Sequence, residues 1–180
     1  MGKSSGPCIF SAVRDAFEGD LPIIAEDLGI ITPEVEALRD EFGFPGMKIL
    51  QFAFDSLDEG SYLPHRYTSP VCVCYTGTHD NDTTRSWYQT LRPECRDKVR
   101  RYTHCCNDTH FPLDLIGTAL ASVAAYAIFP LQDVLCVGAE GRMNTPGIGA
   151  GNWSWRYQQS ALKDELADEL RGMTILYGRY

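Results

Sequence analysis

The stretch VCVCYTGTHDND, residues 71–82, decides how the chain folds. Its first half is continuously apolar, as in a strand of a parallel sheet covered on both faces. Its second half sets His79, Asp80, Asn81 and Asp82 directly behind that strand. LPIIAEDLG, residues 21–29, repeats the pattern, running from apolar residues into Glu26 and Asp27. A carboxylate buried at a strand end is costly unless something uses its charge. Two such strands place polar groups at one end of a sheet, which is where a site is expected.

Working outward, four apolar segments read as strands: 21–26, 47–54 (MKILQFAF), 71–76 and 133–138 (DVLCVG). Between them the spacing predicts helices. IFSAVRDAF (9–17) carries apolar residues at helical spacing. The next helix has Thr32 as cap, Pro33 in its first position, and Val35, Leu38 and Phe42 as its inner stripe. Further helices are expected in pieces over 83–106, over 113–129, and at the C-terminus around Leu162, Leu166 and Leu170. Asp82, before Thr83 and Thr84, reads as an N-cap. RMNTPGIGAGNWSW (142–155) is a glycine-rich loop of the kind that carries function on a rigid scaffold. Strands alternating with helices imply parallel strands with crossovers. In a (β/α)₈ barrel the catalytic groups sit at the C-terminal ends of such strands. That barrel needs roughly 250 residues, and 180 residues with four strands match only its second half. The fold expectation is therefore α/β, with residues 1–180 forming the C-terminal half of one barrel.

Composition narrows the partners. A net charge of −8 argues against nucleic acid and anionic membranes, which require clustered Lys and Arg. A neutral ligand such as a sugar fits that balance. LIGTALASVAAYAIFP (115–130) is too short and too rich in small residues to span a bilayer, and reads as a buried helix. The first ten residues lack the apolar core of a signal peptide and the Arg-rich pattern of a transit peptide. Seven scattered cysteines form no C-x-x-C pair, which favours a reducing compartment, cytosol or plastid stroma. HCCNDTH (104–110) matches no common zinc spacing, so no metal or other cofactor is expected.

A pair of carboxyl groups at neighbouring strand ends suits glycoside bond cleavage. One acid protonates the leaving oxygen, and another carboxylate supports an oxocarbenium-like transition state. Glu26 and Asp80 are the candidates, with His79 beside Asp80. The competing reading is structural, with Glu26 and Asp27 capping a turn or pairing with Arg39. Trp153, Trp155, Phe52 and Phe54 can stack on sugar faces or simply pack the core.

Several motifs resemble one family in order and spacing. IIAEDLGIITPEVEALRDEFGFPGMKILQFAFD (23–55), YTGTHDNDTTRSWY (75–88), LQDVL (131–135), RMNTPG (142–147) and GNWSWR (151–156) are similar to the C-terminal part of the amylomaltases. These are the 4-α-glucanotransferases, or disproportionating enzymes, of glycoside hydrolase family seventy-seven. The resemblance implies retaining transfer of an α-1,4-glucan segment to the 4-hydroxyl of glucose or an oligosaccharide. It makes Glu26 the general acid/base and Asp80 the stabiliser of the transition state. His79 would bind the same sugar ring, and Asn144, Phe52 and Asp55 would line neighbouring subsites. The family's nucleophile is an Asp in an Arg-x-Asp-His type segment on the fourth barrel strand, and that segment is absent from these 180 residues. GPCIF also stands where the family has a more glycine-rich GPG. The expectation is thus a piece of the enzyme, inactive alone, whose protein partner is the other half of its barrel. The alternative is a catalytically dead glucan-binding or interaction protein derived from the family.

Overall fold

Cys72–Tyr75 forms a strand because its β-favouring side chains bury on both faces: Cys72, Val73 and Cys74 are all inaccessible to solvent or nearly so. In the computed structural model, which describes residues 6–55, 57 and 60–180, this strand (β2) is central to a parallel sheet. β1 (Gly46–Ile49) pairs with it on one side, with Met47 opposite Val73 and Lys48 opposite Cys74. β3 (Tyr126–Ile128) pairs on the other, with Val73 opposite Tyr126 and Cys74 opposite Ala127. The order is β1-β2-β3, all parallel.

Helices fill the crossovers. α1 (Gly6–Phe17) and α2 (Pro33–Glu41) precede β1, and neither contributes a buried residue. α3 (Thr84–Thr90), α4 (Pro93–Thr103) and α5 (Phe111–Leu120) lie between β2 and β3. α6 (Leu131–Val134) follows β3, and α7 (Asp164–Leu176) comes last. The main core joins Leu50, Phe54, Cys72 and Cys74 of the sheet side to Trp87, Tyr88, Val99, Phe111 and Leu115 of the helices. Tyr88 stacks on Phe111 with ring centroids 4.0 Å apart. A smaller cluster of Leu113, Ile116, Leu120 and Val134 receives Leu170 and Met173 from α7.

Five expectations need correction. Residues 133–138 are not a strand: Pro130 starts α6, and Cys136 then turns the chain with φ +50°. The strand lies earlier, at 126–128, inside the run expected to be helical to residue 129. That helix stops at Leu120, and the aromatic and β-branched residues beyond it pair with β2. Residues 21–26 run beside β1 without forming a regular strand. Pro22 lacks an N–H, and the segment makes one bond to its neighbour, Ala25 N–H to Pro45 O at 2.9 Å. The expected strand 47–54 ends at Ile49, and Gln51–Ala53 is a 3₁₀ turn. The cap of α3 is Thr83, one residue beyond Asp82, with its hydroxyl accepting from Ser86 N–H.

All seven cysteines are unpaired: Cys8 and Cys106 are exposed, Cys136 is half-buried, and the other four are buried. Burial pushes the thiols of Cys74 and Cys105 up to about 11. His104 takes a left-handed conformation to end α4, so it serves as a helix terminator. No helix of the described residues is long and apolar enough to cross a membrane.

Candidate active site

Residues that follow β1, β2 and β3 line one cleft of about 740 Å³, so the C-terminal ends of all three strands open onto it. Gln51 and Phe52 come from the end of β1, Gly77 to Thr83 from the end of β2, and Phe129 and Pro130 from the end of β3. Ile24, Glu26 and Leu28 enter from the segment beside β1, and Arg142 and Met143 from the glycine-rich loop.

Glu26 and Asp27 have opposite fates. Asp27 turns inward, where Oδ1 accepts from Met47 N–H at 2.7 Å and Oδ2 pairs with the Arg39 guanidinium. The structural reading thus holds for Asp27, which ties residues 21–29 to β1 and α2. Its neighbour Glu26 lines the cleft with an exposed side chain.

Asp80 lines the same cleft from the loop behind β2. Its Oδ1 accepts from Asn144 Nδ2 at 2.6 Å and lies 3.4 Å from His79 Nε2. Both side chains of that pair are about half exposed, which leaves them open to a ligand. The loop holds its shape through Asn81, whose Oδ1 accepts from the N–H and the hydroxyl of Thr78, each at 2.9 Å. Asn144 is delivered by backbone pairing, its N–H donating to His79 O at 3.1 Å. Trp153 folds back on the same loop, its ring 5.0 Å from the His79 ring.

The cleft therefore gathers Glu26, Phe52, His79 and Asp80, with Asn144 bonded to Asp80. Phe52 is 39% exposed, an available aromatic face. Asp55 stands apart. It does not line the cleft, and its Oδ1 accepts from Trp87 Nε1 at 3.0 Å, so its position serves the core.

Sequence reasoning passed over three residues. Arg142 donates from Nη2 to Asp80 O at 3.3 Å and from Nε to Asn144 O at 3.0 Å, joining the two loops. Gln51 donates to Asp82 O at 3.0 Å. Asp133 lies buried beneath the cleft, where loss of water pushes its carboxyl above the ordinary carboxylate range. Arg142 and Asp133 stand within motifs quoted above, and an acid in an apolar run was the available signal for Asp133.

Chemically, the cleft offers the exposed carboxyl group of Glu26 and that of Asp80, which an amide and a histidine orient. That set can exchange a proton with a glycosidic oxygen and stabilise positive charge on a ring.

Comparison with known proteins bears on this geometry. The family model described as 4-alpha-glucanotransferase matches residues 3–162. A 4-alpha-glucanotransferase of Synechocystis is 53% identical over 174 residues, which is 97% of this chain and 34% of that protein. A Thermus thermophilus protein of the same description is 48% identical, covering 95% of this chain and 35% of its own length. Among solved structures, an amylomaltase from Streptococcus agalactiae in complex with acarbose superposes with a TM-score of 0.92 at 34% identity. It matches 99% of this chain and 36% of that one. The chain spans about a third of the length of these relatives.

Proposed function

The chain belongs to the 4-alpha-glucanotransferase family, and from that premise we propose that its cleft is one wall of an α-1,4-glucan transfer site. In this reading the sheet and the segment beside it are the C-terminal half of a (β/α)₈ barrel, with residues 1–180 a portion of one catalytic domain. The parallel order β1-β2-β3 and the cleft at the strands' C-terminal ends support it. The donor is an α-1,4-glucan or maltooligosaccharide, and the acceptor is glucose or another oligosaccharide. Acarbose in the Streptococcus agalactiae structure supports a sugar ligand. The unpaired thiols support a reducing compartment, cytosol or plastid stroma.

Glu26 protonates the glycosidic oxygen as the bond to the anomeric carbon breaks, and a second carboxylate forms an ester with that carbon. Glu26, now ionised, takes the proton of the acceptor's 4-hydroxyl as that oxygen displaces the ester. Asp80 holds hydroxyls of the distorted ring, and its hydrogen bonds strengthen as positive charge develops. His79 binds the same ring, while Asn144 and Phe52 shape the flanking subsites. The observation that carries this reading is the convergence of Glu26 and Asp80 on one cleft, with Asp80 oriented by Asn144.

The attacking carboxylate must stand about 5 Å from the acid/base. Among the described residues, Asp82 and Asp133 are the other acids of the cleft, and both are committed. Asp82 accepts from Thr83 N–H and Ser86 Oγ, and Asp133 is sealed under the loop by three donors. In this reading the attacking group comes from a further part of the barrel. The same observation favours, as a second reading, glucan binding without chemistry. Loss of one member of a cooperating set forfeits most of the rate, so residues 1–180 alone should release no glucose from maltotriose. Adding the remaining part of a barrel as a separate polypeptide should restore transfer, and Glu26→Gln should abolish it again. Binding of maltoheptaose without restored transfer would favour the second reading. Glucose release by residues 1–180 alone, lost in Glu26→Gln, would refute the external carboxylate.

A further inference from the structure

Asp133 is a fully buried acid that the proposed chemistry does not use, yet its three hydrogen bonds all go to two residues. Oδ2 accepts from Thr76 Oγ1 at 2.6 Å and from Thr84 Oγ1 at 2.8 Å, and Oδ1 accepts from Thr84 N–H at 3.2 Å. Thr76 immediately follows β2, and Thr84 opens α3. These are the two ends of the loop 77–83, which carries His79 and Asp80. Both threonines and Asp133 are almost completely shielded from water.

We propose that Asp133 is a positioning residue that clamps both ends of the loop 77–83 and so fixes Asp80 in the cleft. A core that needed only packing would gain more from an apolar side chain here than from a buried carboxylate. What an apolar residue cannot do is hold two separate chain points to one atom. The carboxylate belongs to α6, directly after β3, so the clamp also registers the β3 unit against the β2 unit. Between the clamped ends, the Thr78–Asn81 turn and the Arg142 bond to Asp80 O remove the remaining freedom. Fixed ends and a fixed tip define where the Asp80 carboxylate points. A displacement of that group by even an ångström is the kind that lowers transition-state stabilisation.

The clamp stands on its own geometry, and only its consequence for Asp80 rests on the proposed function. Amide hydrogen exchange, followed by NMR on residues 1–180, reads the clamp without any activity. In Asp133→Ala the Asn81 and Thr83 amides should exchange about tenfold faster or more, while Cys74 in β2 and Ile116 in α5 stay within about threefold. Thr84→Val, which keeps the shape and deletes one hydroxyl, should loosen the same amides, and Thr84→Ser should restore them. Thr84→Val also decides the matter if Asp133→Ala fails to fold. Acarbose affinity, measured by calorimetry, should fall about tenfold in the loosened variants if Asp80 holds the ring. Unchanged exchange in 77–83, or uniform acceleration through β2 and α5, overturns the clamp whatever acarbose does. Local loosening with full acarbose affinity overturns the link to Asp80. A wild-type chain that ignores acarbose counts against the functional reading of the cleft, and the exchange data still decide the clamp.

Discussion

Asp27 shows how much a single acid does when it is turned inward. It fastens the segment bearing Glu26 through Met47 N–H and Arg39, with the guanidinium and carboxylate both largely shielded. Arg39→Ala should lower stability by about 1–3 kcal/mol, because Asp27 would keep its burial and lose its counter-charge. The shift of a urea midpoint at constant slope measures it. Gly46→Ala attacks the same point from β1, since an added methyl would collide with the Asp27 carboxylate and lie 3.0 Å from Arg39 Nη1. It should cost about 1–3 kcal/mol and, where transfer is reconstituted, lower kcat by moving Glu26. Asp133 adds a pH dependence. Burial raises its carboxyl above 3.8, so the folded state prefers the proton. Stability from this group is present below the ordinary carboxylate value and is lost as pH rises through the raised one. Asp133→Asn removes that loss. The variant's Tm relative to wild type should therefore climb with pH across that window, as calorimetry at a series of pH values would show.

At the scale of elements, what was legible was the strand that buries on both faces and the acids behind it. β2, α2 and α7 form where local signals place them, and β1 keeps only the first part of its expected run. The run 115–130 was not legible, for a physical reason. Continuous apolar sequence fits a buried helix and a buried strand equally, and only pairing with β2 decides. Ala121 to Ala125 carry no Gly or Pro to mark the break. Asp133 was passed over for the same reason, since a strand at 133–138 gave it no loop to hold. Glu26, His79 and Asp80 directly follow apolar segments in the sequence, and the fold brings all three to the cleft lining. Asp55 follows one too, and the fold gives it Trp87 as partner, outside the cleft lining. β3 offers a direct check. Ala127 packs between the two apolar clusters, so Ala127→Asp should cost about 2 kcal/mol or more. A thermal shift of only a degree or two would contradict the sheet pairing of 126–128.

On the scale of the whole molecule, the chain leaves much of its apolar surface uncovered. α1 buries nothing although Ile9 and Phe17 lie on it, and Ile30 and Val35 are exposed nearby. The outer strand β3 presents Tyr126 and Ile128 at 56% and 41% exposure. An uncovered edge strand beside apolar helix faces favours association. Sedimentation velocity should show a weight-average mass that rises with concentration, and an invariant monomer with a sharp melt would contradict this. The distribution of thiols offers a second consequence, as a built-in clock for that surface. Only Cys8 and Cys106 are open in the fold, one on α1 and the other just after α4. A brief maleimide pulse followed by intact-mass spectrometry would thus count conformations molecule by molecule. Two rapid adducts mark the native chain, and seven mark the unfolded one. A missing adduct at Cys8 would reveal that something has come to rest on α1.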